Sequence, residues 1–470
     1  MIQPFTYYNP TKLVFGEGRI AELPRLIDPH YRILLVMGGG SIRRNGVYDA
    51  VCQALEGRSV TEFWGIESNP TVETIRKAVQ LGRQEQCDFV LAVGGGSVID
   101  ASKLIIAAMC SDQDPWDIVR AGKHRGEHLP LGVVLTIPAT GSEMNSGGVI
   151  SCRETQEKYS FSSKHPQFSI LDPRVPTSLP PYQVACGIAD TFVHVMEQYM
   201  TTMRSPLLMD RMAEGVLHTL IEIAPGLTLN HKDVDLMGEF MLCATVGLNG
   251  YLSWGVDQDW STHYIGHEVT ALTGLTHGHT LAIILPATLQ VMRHLGKQDK
   301  LLQYAARIWG LIPQACQGEE HAVTAAIEAT KQFFAKLGLS VTLRDAEVPH
   351  EVTALTGLTH GHTLAIILPA TLQVMRHLGK QDKLLQYATR IWGLTPQACQ
   401  GEEHAITAAI EATKQFFSKL GLSVTLRDAE VPHEVIDEVV RRFTERGTVL
   451  GEHQNMTPEI VRQILELAYE

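Results

Sequence analysis

The hydrophobic pattern changes once along the chain, near residue 185. Before that point short apolar runs alternate with amphipathic stretches, and after it only helical periodicity continues. RILLVM (32–37) is a β-like run that ends at Gly38-Gly39-Gly40-Ser41, with helical spacing following in Val47, Ala50, Val51 and Leu55. A second unit joins a helical VETIRKAVQLGRQ (72–84) to the strand DFVLAV (88–93), the turn Gly94-Gly95-Gly96-Ser97 and a helical VIDASKLIIAAM. A third strand, LGVVLTIPAT (131–140), ends at Gly141-Ser142-Glu143. Strands that alternate with helices predict a mostly parallel, Rossmann-like sheet covered on both faces. The pattern divides the chain into an α/β domain at 1–183 and an all-helical domain at 184–470.

Glycine at the carboxyl end of such strands lets the backbone turn sharply and bring N–H groups to a phosphate at the next helix start. One GGGS is an ordinary tight turn. Two at equivalent places, with a third turn rich in Thr, Ser and Gly, point to nucleotide binding at that sheet edge. Neither turn is GxGxxG or GxxxxGK[ST], so the arrangement is neither the usual dinucleotide fingerprint nor a P-loop. No acidic residue follows the 32–37 strand to hold a ribose 2′-hydroxyl. Gly39, Gly40 and Ser41 stand there, with Arg43 and Arg44 close behind, a setting that favours NADP over NAD. Both arginines are equally compatible with solvated helix charges.

Composition narrows the class further. The 470 residues carry a formal charge of −12 with no Lys/Arg run, which argues against a nucleic-acid surface. Eight scattered cysteines without a CxxC pair suit a reducing cytoplasm. The N-terminal MIQPFTYYNPTKLVFGEG lacks the pattern of a signal peptide, and no apolar run approaches the roughly 20 residues of a membrane span. The expectation is a soluble cytoplasmic protein that acts on a small molecule.

The helical half carries a histidine cluster. GIADTFVHVMEQYM (187–200) places Asp190 and His194 four apart on one helix face, and STHYIGHEVTALTGLTHGH (261–279) gives His263 and His267 the same spacing, followed by His277. One Asp and three His could form a mononuclear site for Fe(II), Zn(II) or a similar borderline ion. Taken singly, DxxxH is more often a surface ion pair, and the Ala271 four residues beyond His267 rules out HExxH.

GGGSVIDASK (94–103), TIPATGSE (136–143), GIADTFVHVMEQY (187–199) and the 261–279 stretch together resemble the iron-containing (group III) alcohol dehydrogenases, with the NADPH-dependent aldehyde reductase or butanol dehydrogenase branch nearest. The likeness runs from about Pro10 to the C-terminus apart from one surplus repeat. It implies a dehydroquinate synthase-like fold, an alcohol or aldehyde substrate, NADP(H), one divalent ion (Fe(II) or Zn(II)) and a homodimer. It places the metal ligands at Asp190, His194, His263 and His277, and a proton-relay histidine at His267. Nucleotide contacts map to Gly38, Gly39, Gly40, Ser41, Asn69, Gly94, Gly95, Gly96, Ser97, Asp100, Thr136 and Thr140, and the NADP-phosphate lysine to Lys158. NAD-preferring members hold Asp where Gly39 stands. A polyol dehydrogenase on the same scaffold is an alternative.

The surplus is an internal copy. Residues 267–349 and 350–432 are the same 83-residue sequence but for Ala306/Thr389, Ile312/Thr395, Val323/Ile406 and Ala335/Ser418. Counting back four from His350 reaches Ala346, so the second copy lacks the partner equivalent to His263. The first copy is therefore expected to supply the metal site, while DKLLQYAARIWGL (299–311) and DKLLQYATRIWGL (382–394) have equal claims on one packing position. A folding-compromised, non-catalytic product of the duplication is the competing expectation.

Overall fold

A computed structural model describes residues 2–155, 157–201, 206–273, 275–342, 346, 360–378, 380–419, 422–429, 431–445 and 457–470. They fall into two compact units, Met1–Glu347 and Val348–Glu470.

The first unit opens with a six-stranded parallel sheet of β1 (Lys12–Phe15), β2 (Arg32–Met37), β3 (Ser59–Phe63), β4 (Phe89–Gly94), β5 (Leu131–Leu135) and, after a hairpin, β8 (Phe168–Leu171). Their order is β1-β8-β5-β4-β2-β3. From β2 the chain runs outward to β3 and returns to β4 on the other side, so the carboxyl ends of β2 and β4 flank a topological switch point, where open α/β sheets bind ligands. The near-continuous apolar strands are buried because helices cover both faces. On one face lie α1 (Leu23–Leu26), α2 (Ser41–Arg44) and α3 (Val47–Ala54), and on the other α4 (Val72–Gln84), α5 (Gly96–Ala108) and α6 (Pro115–Arg120).

The sequence expectation and the structure differ after β5. The third strand stops at Leu135, ahead of Pro138, and not at residue 140. The chain then forms an antiparallel hairpin of β6 (Gly147–Cys152) and β7 (Glu157–Ser162), which the strand–helix alternation did not anticipate.

Helices follow, as the period predicts: α7 (Pro181–Tyr199), α8 (Leu207–Leu229), α9 (Val234–Gly247), α10 (Ser261–Thr273), α11 (His277–His294), α12 (Gln298–Ile308) and α13 (Glu319–Lys336). Helices α7–α9 and α11–α13 share one apolar core, in which Phe192 of α7 meets Phe333 and Phe334 of α13 with ring centroids 5.1 and 5.5 Å apart. The first copy of the repeat therefore fills this core. A buried polar network fixes its register. Lys300 of α12 donates to Asp210 of α8 at 2.6 Å and lies 4.1 Å over the Tyr199 ring, while Arg307 reaches Glu214 at 3.0 Å.

The second unit holds α14 (His360–His377), α15 (Gln381–Trp392), α16 (Glu402–Lys419), α17 (Glu434–Glu445) and α18 (Pro458–Tyr469). It is built around its own cluster of Ile366, Ala370, Val374, Leu426, Val431, Ile464 and Ala468. Among the described residues no helix is long and apolar enough to cross a membrane.

Candidate active site

The site is assembled by three helices of the first unit. Helix α7 starts with Pro181 in its first turn, where the missing N–H costs nothing, and runs buried for most of its length. Its inner face presents Asp190, His194 and, one turn on, Glu197, all buried. The first turn of α11 is pressed onto α7. A Cβ on Gly278 would lie 2.0 Å from the Cys186 carbonyl oxygen, so only glycine lets His277 approach.

Three histidines then converge on one carboxylate. His194 Nδ1, His263 Nε2 and His277 Nε2 lie 3.4, 3.6 and 3.9 Å from Asp190 Oδ1. Ligand atoms of Asp190, His263 and His277 all fall within 4.8 Å of one another. A four-coordinate ion with bonds of about 2.1 Å holds its ligands about 3.4 Å apart, so the spacing fits. Asp190 Oδ1, His194 Nδ1 and His263 Nε2 are buried without a hydrogen-bond partner. Buried polar atoms are rarely left so, and three such atoms gathered within 4 Å of Asp190 Oδ1 are what a bound cation would satisfy. One carboxylate and three imidazoles suit a borderline transition ion such as Fe(II) or Zn(II) and not Mg²⁺ or Ca²⁺.

The electrostatics agree with this reading. Burial opposes ionisation of Asp190, yet His194, His277 and His263 hold its carboxyl well below the usual range. Burial pushes His194 down to about 4 and His267 to about 3, and lowers His277 strongly. His263 is the exception. Its burial is outweighed by the facing carboxylates of Asp190 and Glu197, and it rises to about 9. Neutral imidazoles are the metal-binding form.

Glu197 was not singled out in the sequence. Its carboxylate bonds His263 Nδ1 and accepts the backbone N–H groups of Thr262 (2.6 Å) and His263 (3.2 Å). It thereby fixes the ring so that Nε2 faces Asp190. The signal was present in outline, because 190, 194 and 197 share one helix face.

Asp190, His194, His263 and His277 line a cavity of about 770 Å³. It extends from the metal-ligand cluster and His267 to Asn69, Gly96, Ser97, Asp100, Thr140 and Lys158. Lys158, on β7, donates to Asn69 at 2.9 Å, which joins two of the expected nucleotide contacts. Gly38–Ser41, Gly94, Gly95 and Thr136 sit at the carboxyl ends of β2 and β4 and just past β5 but do not line it. Arg43 is engaged elsewhere, 4.2 Å over the Trp64 ring and 4.8 Å over Tyr48. A Cβ on Gly96 would fall 2.6 Å from Thr140 Oγ1, so glycine there lets the second and third turns meet.

A buried lysine braces the lining residues Ser142, Asn145 and Gly147 from behind. Lys103 of α5 donates to Ser142 (2.8 Å), Asn145 (2.9 Å) and the Gly147 carbonyl (2.6 Å), and burial lowers it to about 8 against the pull of Asp100 and Glu143. Asp100 accepts the Val149 N–H at 2.9 Å. Thr245 of α9 donates to Glu143 at 2.6 Å, and Thr191 of α7 to the Ala139 carbonyl at 3.2 Å, which fastens the helices to the sheet edge.

The family model for iron-containing alcohol dehydrogenase matches residues 10–173. That for the C-terminal part of the Fe-containing alcohol dehydrogenase family matches twice, at 184–352 and 347–469. The chain belongs to the iron-containing alcohol dehydrogenase family. The double match reports the duplication, and its second instance begins well past His263. The NADPH-dependent aldehyde reductase YqhD of Escherichia coli strain K12 is 46% identical over 346 residues, 73% of this chain and 88% of the relative. Probable NADH-dependent butanol dehydrogenase 1 of Bacillus subtilis strain 168 is 41% identical over 357 residues, 74% of this chain and 91% of the relative. The crystal structure of Escherichia coli K-12 YqhD superposes with a TM-score of 0.73 at 36% identity, covering 99% of both chains. That of NADH-dependent butanol dehydrogenase A from Thermotoga maritima gives 0.71 at 30%, covering 100% of this chain and 99% of that one. The α/β sheet followed by a helical metal-binding region is the architecture of this family.

The second copy's His350 lies outside the described residues, as does the side chain of His360.

Proposed function

We propose that the protein is a metal-dependent, NADP(H)-preferring aldehyde reductase that interconverts a short-chain aldehyde and its primary alcohol. The observation that carries this reading is the inward convergence of orphaned Asp190, His194 and His263 atoms, with His277, at one end of the cavity that reaches the glycine turns. Asp190, His194, His263 and His277 would hold one divalent ion, which supplies Lewis-acid polarisation of the carbonyl oxygen. The overall reaction consumes aldehyde, NAD(P)H and a proton and yields alcohol and NAD(P)⁺.

The chain's own residues supply position and the proton. Gly96, Ser97 and Thr140 line the part of the cavity where a cofactor would lie against the backbone. His267 lies next to His277, with ring centroids 4.7 Å apart, and lines the cavity. Burial keeps it neutral, so its ring N–H can donate to the developing alkoxide as its other nitrogen takes a proton from solvent. Lys158 and Asn69 would hold a ribose phosphate, and the neutral Gly39 leaves a 2′-phosphate unopposed. Butanal-dependent oxidation of NADPH and of NADH, each with and without Fe(II) or Zn(II), tests the reading. Metal-dependent turnover favouring NADPH is expected. Soluble protein without turnover, or turnover indifferent to metal, contradicts it.

A further inference from the structure

Helices α11 and α14 have the identical sequence HGHTLAIILPATLQVMRH. The chain thus shows one helix in two settings. In both, the flanking helix of the same copy seats alike: Arg293 Nη1 lies 3.3 Å from Thr324 Oγ1, and Arg376 Nη1 lies 3.3 Å from Thr407 Oγ1. The helices differ along two stripes: Leu285, buried on α11, is 38% exposed as Leu368 on α14, and a second stripe, which recurs every fourth residue, differs in the opposite sense. On the second copy this stripe is Ala370, Val374 and Leu378. Ala370 and Val374 are 2% and 4% exposed, packed with Ile464 and Ala468 of α18, and Val435 of α17 and Leu378 join the same cluster. On the first copy the same stripe, Ala287, Val291 and Leu295, is open, with Val291 55% and Leu295 70% exposed.

We propose that the open stripe of α11 is a docking site for the α17–α18 hairpin of a second copy of this chain. The occupant is identified by the sequence itself, because the surface that receives α18 on α14 is repeated residue for residue on α11. Leu426 and Val431 complete the cover on α14, and positions 343 and 348, their counterparts, lie outside the described residues. Each chain carries two such stripes and one hairpin, so one stripe per chain is left without a hairpin in a monomer. A hairpin that leaves α14 of its own chain for α11 of another loses and regains matching contacts. Such an exchange has little intrinsic cost and is governed by concentration.

The full-length wild type, Val291→Asp and Val374→Asp test this by sedimentation across a concentration range. Hydrogen exchange of residues 287–295 at low and high concentration reports on the surface involved. Val291 is exposed, so Val291→Asp leaves the fold intact while placing a carboxylate in the stripe. It is expected to weaken association by about tenfold or more. Wild-type residues 287–295 should gain protection as concentration rises. Val374→Asp should free the hairpin and strengthen association, and the milder Val374→Ala should act in the same direction should the aspartate unfold the second unit. Association of Val291→Asp equal to wild type overturns the proposal. So does protection of 287–295 that is independent of concentration, which would mean that the chain's own hairpin covers the stripe.

Discussion

Four ligand-type side chains owe their meeting to contacts one residue removed. Glu197 aims His263, Gly278 admits His277, and both act on a helix already committed to burying Asp190 and His194. Removing the charge that orients His263 should therefore weaken metal binding without removing a ligand. Glu197→Gln is expected to lower metal affinity by about 10–100-fold, read by competition with a chromogenic chelator, while the folded circular-dichroism spectrum is kept. Cofactor choice is argued at the same scale. Gly39→Asp puts a carboxylate where a 2′-phosphate would lie, and the NADPH/NADH ratio of kcat/KM should fall by about tenfold or more, the equivalent of about 1.4 kcal/mol. His277, which starts the next helix, was assigned through the family resemblance, while a spacing of four made Asp190 with His194 and His263 with His267 legible in the sequence as pairs on one helix face. Glu197 was not, since its role exists only once α10 has docked on α7.

At the scale of elements, the long apolar strands and amphipathic helices announced themselves. The β6–β7 hairpin did not, because GGVISC and EKYSFS carry little alternation and β7 is mostly polar, yet it delivers Lys158. Sequence could not choose between the copies' helices either, since identical residues have identical affinities. Connectivity chooses: residues 274–276 tether α11 directly behind α10, so the first copy reaches the α7–α8 core at far higher effective concentration. The consequence is visible in twin residues. Lys300, Gln303 and Arg307 join the buried network of α8, whereas Lys383, Gln386 and Arg390 are exposed. Phe333 is buried and its twin Phe416 is 47% exposed. Phe333→Ala is expected to destabilise by about 3–5 kcal/mol, and Phe416→Ala by within about 0.5 kcal/mol, in urea titrations of the full chain.

For the whole molecule, the duplication adds a compact unit, and among the described residues the one His/Asp cluster with metal-ligand spacing lies in the first unit. Two units with separate cores should unfold in two calorimetric transitions. Excision of residues 350–432 leaves 387 of the 470 residues, and that chain should unfold in one transition while keeping metal and reductase activity. The central claim is that the first copy alone completes the metal centre, because the repeat begins after His263. Metal content of the purified full-length protein with Ala at His277 and, separately, at His360 tests it most directly. His277→Ala is expected to lose the bound ion and His360→Ala to retain it at the wild-type level. Loss in His360→Ala, or retention in His277→Ala, would contradict it.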